Sequence, residues 1–391
     1  MSWINVELKE VAEYRQERIE TNVLSKKNYV STENMLPNKE GIVDSSYPPS
    51  GNSSPTFKSN DILISNIRPY FKKIWFAKYE GGCSNDVLVF KPNEEKVDPK
   101  FLYFQLSKDE FFEYMMSGAN GTKMPRGNKK AILKFKFSTP KSLNTQKRIA
   151  SILSTYDDLI ENNLKRIKLL EETAQNIYKE WFVNFRFPNY ENTPFNKETG
   201  LPMGWEMKEL NYLVELQQGF ALNKKSGHHI SIEKTDYPLL KISDLFNETE
   251  TLFVKESIPK QFLVKSDEII FSRTGQVGHA FMGRTGVIYN NCFRVMANKN
   301  IDTYFLFATL IVPSFIKNVK GLATGSAQPD LNHSAFKSIK IILPSLELQK
   351  TYSLLFQSNL KLKYNLKEQN QKLKEARDIL LPRLMNRTIE V

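Results

Sequence analysis

Two stretches of this chain place apolar residues at alternating steps of three and four. The first runs from residue 153 to residue 181 and the second from residue 352 to residue 380. This is the heptad pattern of a helix that buries a narrow apolar stripe against a partner helix. The predicted interface residues are Leu153, Ile160, Ile167, Leu170 and Ile177 in the first helix and Leu355, Leu362, Leu366, Leu373 and Leu380 in the second.

A helix with an apolar stripe can instead pack only on its own domain. Charged residues such as Lys165, Lys168 and Glu172 flank the first stripe and keep it narrow, which favours a coiled coil. Polar residues at Asn163, Asn359 and Gln369 interrupt the two seams, as expected where a seam fixes its own register. The two helices are expected to pair with each other and to run antiparallel.

Each heptad stretch follows a region with mixed strand and helix patterns. The first region predicts strands at 61–65 and 86–90, a helix at 99–116, a glycine-containing loop at 117–128 and a strand at 132–138. The second predicts strands at 268–272 and 293–296, a helix at 303–319, a loop at 321–332 and a strand at 338–343. The predicted fold class is α+β.

The two regions are copies of one another. Residues 97–140 align without a gap to residues 301–344, pairing Asp98 with Asp302, Gly121 with Gly325 and Pro140 with Pro344. Each copy is a whole domain, longer than a solenoid repeat. The sequence therefore predicts two tandem globular domains and two long helices related by a pseudo-twofold axis. A fragment of residues 1–189 is then expected to pair with a second copy of itself.

Composition and charge narrow the class of partner. The 391 residues suffice for two or three domains, and 40% hydrophobic and 12% aromatic residues exclude a disordered chain. A net charge of +12 favours a polyanion such as nucleic acid. Two cysteines at unmatched places, no signal-peptide pattern at the start and no apolar run long enough to cross a bilayer predict a cytoplasmic protein.

Several segments resemble a known family. A proline followed by a Gln-Lys pair begins each long helix, at residues 146–147 and 349–350, and Leu-Pro-Met-Gly-Trp at 201–205 opens the second half. Together with residues 58–65, 85–90 and the ending at 380–385, this layout resembles the specificity subunit of type I restriction-modification systems. The second Gln-Lys pair follows its proline one residue sooner than the first.

The resemblance implies a domain plan and partners. Residues 1–144 and 188–346 would be target-recognition domains, and residues 145–187 and 347–391 would be spacer helices. Two methyltransferase subunits and the restriction and translocation subunits would assemble around them on double-stranded DNA. About thirty helical residues would span roughly 45 Å, or about thirteen base pairs, which suits a two-part asymmetric site with an unread spacer.

The chain lacks the motifs of a DNA enzyme. No Asn/Asp-Pro-Pro-aromatic loop and no glycine-rich cofactor loop of an amino-methyltransferase occurs, and the loop at 118–123 lacks the Gly-Lys-Ser/Thr ending of a phosphate loop. Asp86 with Glu94 and Glu95 could imitate a nuclease site, and the four histidines lack ligand spacing. We expect no catalytic residue, metal or cofactor. A self-sufficient DNA-modifying enzyme and a coiled-coil scaffold that does not bind DNA remain alternatives.

The candidate DNA-binding residues lie in loops at equivalent places of the two copies. Lysine and arginine bind phosphates, whereas arginine reads guanine and asparagine or glutamine reads adenine. The candidates are Arg68, Lys72, Lys73, Thr122, Lys123, Arg126, Asn128 and Lys129 in the first copy, and Arg273, Gln276, Ser326, Gln328, Asn332 and His333 in the second. Ordinary solvated loops could have the same composition.

Overall fold

The computed structural model describes residues 2–121, 123–224, 226–325 and 327–391. They form two compact units. Unit 1 contains Met1–Asn163 and Gln369–Val391, and unit 2 contains Leu164–Glu368. Each unit is a mixed α/β body that includes part of both long helices. The four domain limits expected from the sequence stay a prediction.

The elements follow one another in a similar order in both halves of the chain. The first half contains β1 (Trp3–Glu7), α1 (Leu8–Val11), β2 (Ala12–Tyr14), β3 (Arg18–Glu20), β4 (Tyr29–Val30), β5 (Ser53–Phe57), β6 (Ile62–Ser65), β7 (Ile74–Phe76), β8 (Gly81–Cys83), β9 (Val87–Pro92), α2 (Pro99–Leu106), α3 (Asp109–Ser117), α4 (Lys129–Ile132), β10 (Lys136–Pro140) and α5 (Leu143–Tyr178). A π-helical turn, Lys179–Val183, follows α5.

The second half contains β11 (Glu206–Glu209), β12 (Val214–Gln218), β13 (Ile230–Ser231), β14 (Leu239–Leu240), α6 (Ile242–Asn247), β15 (Phe253–Val254), β16 (Leu263–Val264), β17 (Ile269–Ser272), β18 (Ala280–Phe281), β19 (Gly286–Ile288), β20 (Cys292–Ala297), α7 (Thr303–Leu310), α8 (Pro313–Leu322), α9 (His333–Lys337), β21 (Lys340–Leu343) and α10 (Leu346–Met385).

The same sheet is built twice. In unit 1 the strand order is β2-β9-β6-β7, and in unit 2 it is β12-β20-β17-β18, with antiparallel neighbours throughout. The pairs β1-β10 and β11-β21 also correspond. The smaller sheets differ, because unit 1 has β3-β5-β8-β4 whereas unit 2 has β14-β19-β16 and a separate β13-β15 pair. The duplication is therefore retained best in the sheet that carries β6 and β17.

The helix predicted at 99–116 and the helix predicted at 303–319 are each broken in two. In the second copy Pro313 has no backbone N–H, Val312 is extended, and α7 and α8 meet at 71°. In the first copy the Ser107 hydroxyl donates to the Tyr103 carbonyl, and Lys108 is extended. The break lets Phe101 and Phe111 of unit 1 enter one core from two directions.

The strands expected at 132–138 and 338–343 begin later than predicted. The short helices α4 and α9 precede them, each capped by an asparagine side chain. Asn128 accepts from the backbone N–H groups of Lys130 and Ala131, and Asn332 accepts from that of Ala335. A capped turn satisfies backbone donors that a strand end would leave exposed.

Both long helices contribute to the core of each unit. In unit 1, Leu153 of α5 and Leu381 and Leu384 of α10 pack in the core that contains Phe90 and Phe101. In unit 2, Tyr178 of α5 and Tyr352 and Phe356 of α10 pack with Phe305. Within each unit a segment of α5 therefore lies against a segment of α10.

Three residues predicted in the second seam, Leu355, Leu362 and Gln369, face solvent. Leu355 is 45% exposed and Leu362 is 39% exposed. The residue after each of them lies on the inner side of α10 instead: Phe356 is buried, and Lys363 forms an ion pair with Glu171 of α5. The buried and half-buried positions of α10 include Tyr352, Phe356, Asn359, Lys363, Leu366 and Asn370, which step by four before three. A helix of 3.6 residues per turn accepts either order of steps, and the large ring of Phe356 decides it by burying more apolar area.

A buried glutamine joins each globular part to its long helix. Gln146 and Gln349 are both 1% exposed. The Gln146 side-chain carbonyl accepts from Asp98 N at 2.8 Å, and its amide donates to Pro140 O at 2.8 Å. Gln349 bonds Asp302 N at 2.9 Å and Pro344 O at 2.8 Å in the same way. These bonds fix residue 146 as the equivalent of residue 349.

Replacing this glutamine is expected to destabilise the contact between the globular part and its long helix. Gln146→Ala leaves a buried N–H and a buried carbonyl without partners, so the free energy of unfolding should fall by about 1–3 kcal/mol in urea denaturation. Gln369→Ala, the same change at an exposed position of α10, is the matched control. Equal and small effects of the two substitutions would show that the join needs no glutamine.

Among the described residues, no single helix has the length and apolar content to cross a membrane. In the same part of the chain, α7 and α8 taken together as a bent pair reach the required length and composition.

Candidate nucleic-acid interface

In unit 1 the two predicted loops lie side by side. One loop follows β6 and the other precedes α4. Arg68 N donates to Pro125 O at 2.8 Å, and Gly127 N donates to Asn66 O at 3.2 Å. We call the segments 66–68 and 120–128 the loop frame, or frame, of unit 1. Its backbone bonds hold the loop before α4 against the end of a central strand.

The second loop closes on itself through a tight turn. Asn120 and Arg126 exchange two backbone hydrogen bonds of 2.9 Å. Gly121 has φ +93°, a conformation that disfavours residues with a Cβ atom. At the equivalent Gly325, with φ +94°, a Cβ atom would lie 2.8 Å from the Gln328 carbonyl oxygen. The turn thus depends on glycine in both copies.

Unit 2 contains the same frame, formed by segments 273–275 and 324–332. Gly275 N donates to Pro329 O at 2.8 Å and Leu331 N to Arg273 O at 2.9 Å. Thr324 and Asp330 exchange backbone bonds of 2.9 and 2.8 Å. The backbone pattern is repeated bond for bond, whereas the side chains that it carries are different.

The frame of unit 1 presents basic side chains. Arg126 is exposed, and its guanidinium lies 3.2 Å from the Asp86 carboxylate. Lys123 and Lys129 are also exposed. Arg68 is exposed with φ +49° at the start of a turn. Arg126 is therefore held loosely in a position from which it can reach a ligand.

The other candidates of unit 1 have internal partners. Lys72 lies 2.9 Å from Asp109. The Lys73 ammonium donates to the Thr32 carbonyl at 2.6 Å, and burial lowers the pKa of Lys73. Asn128 caps α4, so its side-chain oxygen is engaged while the residue stays exposed.

The frame of unit 2 contains an internal ion pair. Arg273 donates to Asp330 at 2.6 and 2.8 Å and to Gln218 at 2.9 Å. The Thr274 hydroxyl donates to Asp330 at 2.5 Å. Partial burial acts to raise the pKa of Asp330, but these bonds outweigh it and lower that pKa. Arg273 thus has internal partners within unit 2, and its predicted contact with DNA stays a prediction.

Gln276 and Gln328 are exposed amides beside or within the frame of unit 2. Asn332 is exposed and caps α9. His333 packs edge-on against Phe293, with ring centroids 5.2 Å apart. Burial, followed by the nearby Arg273 charge, lowers the pKa of His333. Unit 2 therefore presents mainly uncharged hydrogen-bonding groups where unit 1 presents cations.

Thr122 and Ser326 lie outside the described residues. Among the residues that the structure describes, several buried polar atoms without a hydrogen-bond partner belong to the two frames or their neighbours. They are Asn66 Oδ1, Arg273 Nε, Asn291 Oδ1 and His333 Nε2. Buried polar atoms are normally paired, so these four atoms are exceptions within the two frames and their neighbours.

Two exposed aromatic residues were missed by the sequence reasoning. Tyr70 and Phe71 follow Arg68, with ring centroids 4.7 Å apart and exposures of 48% and 39%. Exposed rings beside cations are suited to stacking or sugar contacts. The signal was present in the sequence as two aromatic residues between Arg68 and Lys72. Asp86 and Asp330, which hold the frames, gave no such signal.

Within the described ranges, no group of three or more His, Cys, Asp or Glu residues could hold a metal ion. Cys83 and Cys292 are free and buried, and burial raises the pKa of each thiol to about 12.

The described residues thus form a mixed α/β protein in which one loop frame is built twice and two long helices are present. Residues 2–172 and 202–375 match the family described as the type I restriction modification DNA specificity domain, and the chain belongs to this family.

Relatives match over most of the chain. The type I restriction enzyme HindI specificity subunit of Haemophilus influenzae is 25% identical over 461 aligned positions, covering 98% of this chain and 99% of that protein. The MjaVIII specificity subunit of Methanocaldococcus jannaschii is 28% identical over 373 positions, covering 92% and 84%. The S subunit from M. genitalium has the same fold, with a TM-score of 0.65 at 17% identity over 98% of this chain and 96% of that one.

Proposed function

We propose that this chain is the DNA-reading subunit of a type I restriction-modification complex. The observation that carries the proposal is the repeated frame, because one backbone arrangement with two different sets of side chains is suited to reading two different half-sites. Family membership supports the same conclusion. The target is then a two-part, asymmetric duplex sequence.

The basic frame of unit 1 is suited to phosphates and guanine, and the amide-rich frame of unit 2 is suited to adenine. Arginine can donate two bonds to the guanine edge, and glutamine can bond both adenine groups in the major groove. Arg126 and Gln328 are accordingly the proposed base readers, with Lys123 and Lys129 on phosphates. Arg273 is proposed to position the second frame.

The long helices are proposed to form an antiparallel coiled-coil spacer. In unit 1, Asp157 pairs with Arg377 and Asn163 with Asn370, so the partner number falls as the residue number rises. In unit 2, Glu171 pairs with Lys363 and Ala174 accepts from Tyr352, which gives the same sense. Partner methyltransferase and restriction subunits would supply the chemistry, and this chain would supply none.

Arg126 provides a direct test of base reading. Arg126→Ala should weaken binding to the cognate duplex by about 1–3 kcal/mol and relax one half-site only, as read by methylation mapping with the partner subunits. Arg126→Lys is the matched control, because it keeps the charge but loses the two-bond guanine geometry. If the lysine variant retains full specificity, Arg126 binds phosphate and reads no base.

Gln328→Ala should relax the other half-site in the same assay. A loss that is equal on all sequences in both variants would contradict the assignment of one half-site to each unit.

A further inference from the structure

In the ion pairs that join α5 and α10 within each unit, the two helices contribute residues of opposite charge. Arg377 Nη1 lies 2.7 Å from Asp157 Oδ1, and Lys363 Nζ lies 2.6 Å from Glu171 Oε1. In both ion pairs the acid is on α5 and the base is on α10. A third pair joins two buried amides, with Asn163 Nδ2 donating to Asn370 Oδ1 at 2.9 Å.

The equivalence of Gln146 and Gln349 gives each of these residues its counterpart in the other helix. With this offset of 203 residues, Asp157 corresponds to Leu360 and Arg377 to Ala174. Asn163 corresponds to Leu366 and Asn370 to Ile167, and both counterparts are buried. Glu171 corresponds to Lys374 and Lys363 to Ile160. At the counterpart positions, therefore, none of the three complementary polar pairs is present.

The counterparts of Arg377 and Asp157 border an unfilled cavity. Ala174 and Leu360 line a cavity of about 190 Å³ in unit 2. The equivalent place in unit 1 contains the Asp157 carboxylate and the Arg377 guanidinium, whose side chains are 28% and 14% exposed. Burial raises the pKa of Asp157 even though Arg377 acts to lower it. Asp157 without Arg377 would therefore be a half-buried carboxylate that has lost its cationic partner.

The counterparts define what would happen if two copies of one helix paired in the same antiparallel register. In a pair of α5 helices, Asp157 would face Ala174, Asn163 would face Ile167 and Glu171 would face Ile160, each twice. In a pair of α10 helices, Arg377 would face Leu360, Asn370 would face Leu366 and Lys363 would face Lys374. A pair of α5 helices leaves the half-buried Asp157 and the buried Asn163 without these partners. A pair of α10 helices leaves the buried Asn370 without its partner and restricts Arg377 to Asp378 of its own helix. Both pairings are therefore unfavourable.

We propose that these three pairs make the seam of α5 specific for α10, so that each half of the chain accepts the other half and rejects a second copy of itself. This revises the expectation that residues 1–189 pair with their own copy. It also gives a reason why the protein would carry one recognition domain of each kind. The proposal concerns pairing alone and does not depend on DNA binding.

The test uses the full chain, cut after folding. A protease site is inserted between Lys197 and Glu198, in an exposed turn, and the protein is cleaved, dissociated in urea and refolded. Native mass spectrometry then counts the pairs formed by the two fragments. We expect fewer than about one pair in a hundred to contain two identical fragments.

The matched control replaces each polar residue by its own counterpart from the other helix. The substitutions are Asp157→Leu, Arg377→Ala, Asn163→Leu, Asn370→Ile, Glu171→Lys and Lys363→Ile. The polar differences between the helices are then removed, while apolar differences such as Tyr178 against Leu381 remain. Identical pairs should therefore rise at least about tenfold above the level of the unmodified fragments, toward the random proportion of about half. Near-random pairing of the unmodified fragments would overturn the proposal, and so would full selectivity of the control.

A second variant serves if the control does not refold. The N-terminal fragment with Asp157→Arg should bind the C-terminal fragment with Arg377→Asp at least about tenfold more tightly than it binds the unmodified C-terminal fragment. Equal binding to both fragments would exclude a pairing role for this ion pair.

Discussion

Affinity of this chain, assembled with its methyltransferase subunits, for a duplex with its cognate site should fall about a thousandfold between about 50 and 200 mM salt. Each phosphate neutralised by lysine or arginine releases a condensed counterion, so log affinity falls linearly with log salt. The net charge of +12 and the exposed Lys123, Arg126 and Lys129 of one frame supply the cations.

Fluorescence anisotropy of a labelled duplex over a salt series measures the slope. Lys123→Ala should reduce the slope by about one if Lys123 binds one phosphate. Gln328→Ala is the matched control, because loss of an uncharged reader lowers affinity without changing the slope. A slope near zero for the unmodified complex would exclude DNA as the ligand.

Lengthening both long helices by one heptad should change the spacer of the recognised site by about three base pairs and abolish recognition of the original spacing. The insertions belong after Asn163 in α5 and after Glu368 in α10. Asn163 pairs with Asn370, so insertions at these points retain the observed contacts on either side. Methylation mapping of DNA treated with the assembled complex reports the new spacing.

Insertion of the heptad into α5 alone is the control. It shifts one stripe against the other, so the protein should be destabilised and should recognise neither spacing. An unchanged spacer after the double insertion would mean that the helices do not set the distance between half-sites.

The periodicity of the sequence located the long helices, because apolar positions along a helix repeat whatever the helix packs against. It did not place Phe356 and Lys363 on the buried side of α10. Steps of three and four are equally compatible with the helical repeat, and only packing against α5 and the globular core distinguishes them. The helix breaks at Ser107 and Val312 show a related limit, since Pro313 marks the second break in the sequence whereas no proline marks the first.

Chain order and residue type also located the two loops of each frame. Glycine, proline and polar residues between periodic segments are a local signal. That Arg126 is exposed while Arg273 is bound to Asp330 and Gln218 could not be read from the sequence, because both are arginines in predicted loops. The difference arises from residues distant in sequence that the sheet brings beside them.

By itself the sequence determined the duplication, the two long helices, the approximate positions of the central strands and the loops, since each is written in local pattern and repeated residue by residue. Tertiary structure alone decided which polar residues are partners. Asp157 with Arg377, Asn163 with Asn370 and Gln146 with Asp98 are separated by 220, 207 and 48 residues. Burial makes each of these partnerships matter, because a polar group removed from water must be paired, and the sequence does not record which groups folding removes from water.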